Sequence, residues 1–444
     1  MPKVCLSLVL HAHQPVGNFG KVFDRSYDLA YKPFLDVLYQ HPRFKVALHF
    51  SGVLMEWFGL RHPEFLIGLR DLVERKQIEV LSGGFYEPIL AVIPDHDKLE
   101  QLGRLNRLIE RKVGTRPRGL WLAERIWEPQ LPRFFRRTGL EYAVLDDTHF
   151  FQAGLRESQL YGYYITEDLG DSFRLIPGSK TLRYTIPFQE PEATLDFLRS
   201  TVREGSPSFV AMGDDLEKFG VWPKTHAHCY TTNRWLPRFI DALGRADGWL
   251  EMALPGEHID RYPPLGNIYL PTTSYAEMGQ WTLPADVSRE YGGLLDEIDR
   301  GALRRFSYFV TGGTWRNFLA KYPEANQMHK KMLRVSRRLH TCAISDGEEK
   351  LSEALNYLLQ AQCNDGYWHG VFGGLYAPHL RHAAYSNLIR AETIVWKLEG
   401  HGQPSAEVSD YDCDGREEIL VVGSPAGGGS RVMVLRFPRS APAP

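Results

Sequence analysis

The sequence predicts an α/β protein built on a (β/α)7 barrel, followed by a helical subdomain. Three observations carry this. Short apolar runs alternate with longer amphipathic stretches through the first half of the 444 residues. Alternation of that kind produces a parallel sheet with covering helices. Nearly every polar or aromatic motif directly follows one of the short runs, as it does where a barrel gathers its functional residues at the C-terminal ends of its strands. From Val287 onward the pattern turns helical.

The strands are expected at Val4–Leu10, Lys45–Phe50, Ile78–Leu81, Leu120–Ala123, Tyr142–Leu145, Phe209–Met212 and Leu250–Leu254. Helices are expected between them around Asp28–Gln40, Pro63–Lys76, Asp95–Arg111, Gln130–Thr138, Glu192–Glu204 and Arg234–Leu243. Seven β-then-α units favour a closed barrel over residues 1–285. Residues 161–188 break the rhythm: Tyr161–Leu169 and Leu182–Phe188 read as strands around a Gly/Ser/Asp-rich middle, a hairpin insertion. Residues 286–400 form the helical subdomain, expected to complete the active-site cleft, with runs at Tyr291–Tyr308, Trp315–Leu339 and Glu348–Gln362. In residues 401–444, Ile419–Val422 and Arg431–Leu435 pair as a hairpin across Ala426–Ser430, and Pro438–Pro444 is expected to be disordered.

Composition narrows the function. Fifty-two basic residues against 54 acidic ones give a net charge of −2, with no basic stripe to favour nucleic acid or acidic lipid. A neutral ligand is expected. Five scattered cysteines with no C-x-x-C pair argue against a disulfide framework and a zinc–thiolate site, and favour the reducing cytoplasm. No apolar stretch approaches the roughly 20 residues of a spanning helix, and Met1–Leu6 runs straight into a strand without a signal-peptide pattern.

Two acidic motifs carry the chemistry. Glu124 follows Trp121-Leu122-Ala123, and strand alternation places Leu122 and Glu124 on one side. Asp214-Asp215 follows Phe209–Gly213. Paired carboxylates among aromatic rings suit cleavage of a glycosidic bond. Adjacent aspartates point apart in extended chain, so at most one faces the site centre, and the residues alone leave the choice open. The other is free to cap a turn, with Glu217 at capping-box spacing from Asp214.

His11 and His13 share one face of an extended segment. They suit metal ligation with an aspartate, or hydrogen bonding to substrate hydroxyls. Gln14-Pro15 supplies no third ligand, so hydroxyl binding is preferred and no metal or cofactor is expected. Asp410–Gly415 opens like a calcium loop, yet Val421 stands where the loop needs a bidentate Glu, so a polar turn is expected. Trp222, after Phe219-Gly220, and Trp368, beside His369-Gly370, are the best sugar-stacking aromatics.

Together these motifs resemble glycoside hydrolase family 57. His11-Ala12-His13-Gln14-Pro15, Gly83-Gly84-Phe85-Tyr86-Glu87-Pro88, Trp121-Leu122-Ala123-Glu124-Arg125, Asp215-Leu216-Glu217-Lys218-Phe219-Gly220 and Asn364-Asp365-Gly366-Tyr367-Trp368-His369-Gly370 match five ordered regions. His49–Gly52, Tyr275–Met278 and Trp315–Leu319 are similar to its 4-α-glucanotransferase and α-amylase group. The resemblance implies retention of configuration on an α-glucan or maltooligosaccharide, Glu124 as nucleophile and Asp215, by the pattern Asp-x-Glu-x-Phe-Gly, as acid/base. It also implies His11, His13, Glu79, Trp222, Trp368 and His369 as substrate-binding or supporting residues. Leu216 departs from the glycine usual in this group, and a branched side chain there would narrow a subsite or shift the backbone. Larger members continue into a β-rich C-terminal domain, whose first strands residues 405–436 resemble.

Overall fold

A computed structural model describes residues 3–342, 347–399, 405–423 and 431–435. They fall into two compact units, Met1–Asn317 and Phe318–Pro444.

The first unit is a (β/α)7 barrel. Its strands are β1 (Val4–Ala12), β2 (Val46–Phe50), β3 (Ile78–Leu81), β4 (Gly119–Leu120), β5 (Tyr142–Asp146), β6 (Tyr164–Asp168), β7 (Asp171–Gly178), β8 (Ser208–Asp215) and β9 (Leu250–Met252). Seven of them run parallel in the order β3-β2-β1-β8-β7-β5-β4. The ring closes between β3 and β4, where Ser82 N donates to Gly119 O at 2.9 Å and Trp121 N to Ser82 O at 2.8 Å.

The ring has the expected number of strands but a different seventh member. Leu250–Met252 pairs only alongside Val4–Leu6, while β7 stands between β5 and β8. β7 opens with Asp171-Ser172 and carries Pro177, so it reads as the loop of a hairpin. The expected strand Leu182–Phe188 is instead a helix, Lys180–Thr185. Ser179 caps it by accepting from Leu182 N at 3.3 Å, which turns the apolar run helical. The hairpin exists one step earlier, β6 to β7, across Leu169-Gly170 with φ 52° and 89°. Two consecutive positive φ values are what a tight turn between twisted strands requires.

Alternation along the strands layers the barrel interior. Cys5, Val9, Ala47, Leu81, Tyr142, Val144, Ile176, Phe209 and Ala211 pack together with Trp121 in one buried cluster. Residues of the same parity continue each column to the C-terminal rim: His11 on β1, His49 on β2, Asp146 on β5 and Asp215 on β8. Apolar burial at roughly 25 cal/mol per Å2 anchors the lower layers, so the polar top layer rests on a rigid base.

The covering helices follow their end signals. Asp95–Val113 carries Asp95 and Asp97 in its first turn and Arg111 and Lys112 in its last, each sign complementing the helix dipole. It stops at Gly114, whose φ of 81° suits glycine.

The second unit is helical, with Pro323–Thr341, Glu348–Ala361 and Pro378–Leu398 as its longest helices. Pro323 cannot continue a preceding helix and begins a new one. β10 (Ser405–Ser409), β11 (Glu418–Gly423) and β12 (Arg431–Leu435) form an antiparallel sheet that contains the expected hairpin. Residues 410–415 are a polar turn in which Asp410 accepts from Asp414 N and Gly415 N, both at 3.0 Å. The connecting loop 426–430 and the tail 438–444 lie outside the described residues.

Candidate active site

At the rim, His11 is the register partner of Asp215 on one side and of His49 on the other. His11 Nδ1 meets His49 Nδ1 at 2.8 Å, and the His11 ring stacks on Trp121 at 4.6 Å and on His13 at 6.1 Å. Two nitrogens bound to one tetrahedral zinc at 2.0–2.1 Å stand roughly 3.3 Å apart. The shorter contact between the two Nδ1 atoms is a hydrogen bond.

Glu124 does not reach the rim by strand alternation, contrary to the sequence expectation. β4 ends at Leu120, and Ala123–Arg125 forms a 3-10 turn in which Glu124 has φ 51° and Arg125 φ 49°. Left-handed backbone at a non-glycine residue costs on the order of 1–3 kcal/mol and collects at functional sites. Here the surroundings hold it. Ser274 Oγ donates to Glu124 O at 2.6 Å, and Tyr275 OH donates to Glu124 Oε2 at 2.6 Å. His149 lies between Arg125 O and Asp146 O, 2.9 Å from each. The Arg125 guanidinium sits over the Trp121 and Tyr275 rings and donates to Gly213 O at 3.0 Å, tying the turn to β8.

The two aspartates have different surroundings. Asp214 is clamped by the Lys218 ammonium and lies 3.6 Å from Arg183 Nε. Arg183 in turn donates to Asp146 Oδ2 at 2.7 Å. Burial would raise Asp146, but Arg183 and Arg125 outweigh it and hold the carboxyl below its usual range. Among the described residues, no side chain gives the Asp215 carboxyl a hydrogen bond or ion pair. Burial, then the charge of Asp214, raises Asp215 to about 6, against Arg125, Lys218 and Arg183.

Glu217 accepts from Tyr31 OH at 2.5 Å and His13 N at 3.3 Å. Burial and the charge of Asp215 raise it to about 8. Gly220 lets this segment approach residues 27–31, since a Cβ there would lie 1.8 Å from Leu29 O. Leu216 is 1% exposed, so its side chain is packed inside the protein and not in the opening.

Beside the Glu124 turn lies a cavity of about 820 Å3 whose walls include Ile126, Asp147, Tyr184, Ser274, Tyr275 and Tyr308. Its size is that of a small-ligand site.

The model of glycosyl hydrolase family 57 matches residues 7–271, and that of the α-amylase/4-α-glucanotransferase middle domain matches residues 313–395. The chain belongs to family 57. It is 43% identical over 435 residues to α-amylase 1 of Dictyoglomus thermophilum, covering 96% of this chain and 62% of that protein. It is 41% identical over 422 residues to the 4-α-glucanotransferase of Thermococcus litoralis, covering 95% and 61%. The crystal structure of 4-α-glucanotransferase from that organism superposes with a TM-score of 0.87 at 39% identity, covering 95% of this chain and 64% of that one. The chain thus spans a little under two thirds of the length of these relatives.

Of the residues that the family 57 motifs mark, His11 stacks on Trp121, three residues before Glu124, with His13 at its other side and Asp215 as its register partner. Trp222 stands nearby in sequence to Glu217, stacked with Phe188 at 6.0 Å, and the Lys218 ammonium lies over both rings. Glu79 is not brought to the rim. It is the second residue of β3, near the strands' N-terminal ends, where it accepts from Tyr142 OH at 2.6 Å and Gly256 N at 2.9 Å. Trp368 and His369 belong to the second unit. There the Trp368 indole is buried and donates to Asn364 Oδ1 at 2.9 Å, and His369 Nδ1 meets Tyr322 OH at 3.1 Å.

Sequence reasoning missed Arg125, Arg183, His49 and Lys218 as site residues. His49 had a signal, being at the end of an apolar strand. Arg183 had none, because its segment read as a strand in an insertion.

Proposed function

We propose that this family 57 chain is a retaining α-glucan enzyme, a 4-α-glucanotransferase that moves α-1,4-glucan segments by double displacement. The carrying observation is the contrast between two carboxyl groups. Glu124 receives the Tyr275 hydroxyl hydrogen, which stabilises its anion, while burial and Asp214 favour the protonated form of Asp215. An ionised nucleophile paired with a protonated acid is the division of labour that retention demands.

Glu124 attacks the anomeric carbon as Asp215 gives its proton to the departing glycosidic oxygen. Asp215, now a carboxylate, takes the proton of an incoming sugar hydroxyl, whose oxygen displaces Glu124. Retaining enzymes hold the two carboxyls about 5–5.5 Å apart. The neighbouring cavity combines Tyr184, Tyr275 and Tyr308 with Thr148, Thr181 and Thr273, which suits both the apolar faces and the hydroxyls of a neutral glucan. His11, His13 and Trp222 supply further sugar contacts in this reading.

The second reading is an α-amylase-type hydrolase, because the matched relatives carry both names. The two differ only in whether water or sugar reaches the intermediate. Incubation with maltooligosaccharides and chromatography of the products separates them. Longer and shorter chains together identify the transferase, and shorter chains alone the hydrolase. Binding without products contradicts both and leaves a glucan-binding protein. No helix among the described residues is long and apolar enough to cross a membrane, and none of the five cysteines is in a disulfide. Both support a cytoplasmic enzyme acting on intracellular glucan.

A further inference from the structure

Behind the rim, His11 begins a line of three groups that the displacement mechanism does not use. His11 Nδ1 meets His49 Nδ1 at 2.8 Å, and His49 Nε2 lies 3.5 Å from Glu87 Oε1. His49 is fully buried and Glu87 nearly so, while His11 is half-buried at the rim. The loop that delivers Glu87 is shaped for this approach. A Cβ at Gly83 would lie 2.5 Å from His49 Nε2, so only glycine lets the chain pass the imidazole.

A contact between two Nδ1 atoms has one donor and one acceptor. Burial foremost holds His11 well below its ordinary value and His49 at about 3, with His13 opposing protonation of both and Arg125 that of His11. Both rings are therefore neutral, and each carries a single proton. The ring that accepts at Nδ1 must carry its proton on Nε2. Two arrangements satisfy this, and they present opposite faces to the rim. In one, His11 offers an N–H; in the other, a lone pair.

We propose that Glu87, acting through His49, fixes His11 as a hydrogen-bond acceptor, its bare Nε2 receiving a hydroxyl hydrogen of the bound sugar. With Glu87 ionised, its carboxylate facing His49 Nε2 at 3.5 Å in a buried site favours the proton on that nitrogen. His49 Nδ1 is then the acceptor, His11 donates from Nδ1, and His11 Nε2 is left unprotonated. That nitrogen has no partner among the described residues. The sugar hydroxyl as its donor rests on the glucan reading above; the tautomer assignment does not. Glu87 and His49 are positioning residues, acting through His11 much as outer partners orient a metal-bound histidine.

The test is 15N NMR of the full chain labelled at histidine, with assignments from His11→Gln and His49→Gln. The expected spectrum shows a protonated Nδ1 and a bare Nε2 on His11, and the reverse on His49. Glu87→Leu, which offers His49 Nε2 neither donor nor acceptor, is expected to lose the fixed tautomers of both rings, and to lower kcat/KM on maltooligosaccharides roughly tenfold, the scale of one hydrogen bond. Adding maltotriose to the native protein is expected to shift the His11 Nε2 resonance alone among the four ring nitrogens of the pair. A protonated His11 Nε2 in the native protein overturns the proposal, with no variant needed. So does a Glu87→Leu variant that keeps the native tautomers, or an unmoved His11 Nε2 in a maltotriose-saturated sample. If the tautomers are as stated and no glucan product forms, the catalytic reading fails while the tautomer relay stands.

Discussion

Lys218 closes its ammonium on Asp214 and leaves the neighbouring Asp215 carboxyl without an ion pair. Two adjacent carboxyl groups at the end of β8 are thereby set apart, one held by an ion pair and the other not. Lys218 is itself almost fully buried and donates also to Arg183 O at 2.5 Å. Replacing it with Met leaves the buried Asp214 carboxyl only the more distant Arg183 guanidinium, and a broken buried pair costs about 3–5 kcal/mol. Urea unfolding of Lys218→Met is expected to show that loss. A change within about 0.5 kcal/mol, the scale of an exposed site, would contradict the clamp.

The raised value of Asp215 sets the pH profile. As the acid of the first step it works protonated, so kcat/KM on maltooligosaccharides is expected to fall as pH rises through about 6. Asp214 contributes to that value by charge repulsion. Asp214→Asn removes the repulsion and leaves Arg183 and Lys218 in place, so the alkaline limb should move to lower pH. A limb that stays put or moves up argues against Asp215 as the titrating acid.

Tyr275 holds Glu124 by one hydrogen bond. Tyr275→Phe keeps the ring that Arg125 stacks on and removes only the donor. The expected result is a drop in kcat of about 10²-fold with the fold intact, the scale of losing one aimed donor. Near-native turnover would mean that Glu124 does not depend on it.

Glu217 links the site to stability. Its folded value of about 8 lies above the ordinary 4.5. Between those two pH values the unfolded chain releases a proton that the folded chain keeps, so this group's contribution declines as pH rises toward 8. Urea midpoints from pH 5 to pH 8 should therefore flatten in Glu217→Gln relative to the native protein. Parallel profiles would place the proton elsewhere.

Much of this was legible in the sequence, and the failures share a cause. Strands β1, β2, β3, β5 and β8 announced themselves because a buried parallel strand is a short apolar run, and the motif after each run lies at the rim. β7 stayed hidden because Asp171, Ser172 and Pro177 are turn residues unless a neighbouring strand pairs with them. Glu124 was found as a residue but not as a geometry: its left-handed turn depends on Ser274 and Tyr275, 150 residues away in sequence. The distinction between Asp214 and Asp215 needed Arg183 and Lys218, and the tautomer of His11 needed Glu87. Long-range polar contacts leave no periodicity to read. Glu79 is placed by the same kind of contact, its side chain accepting from Tyr142 OH and Gly256 N near the N-terminal ends of the strands.

The proposed roles of Glu124 as nucleophile and Asp215 as acid/base are open to direct trapping. Asp215→Ala should accumulate the glycosyl-enzyme when given maltotriosyl fluoride, whose leaving group needs no acid. Peptide mass spectrometry is then expected to find a maltotriosyl adduct on Glu124. An adduct on any other residue, or rapid turnover of the fluoride to product of inverted configuration, would contradict the account.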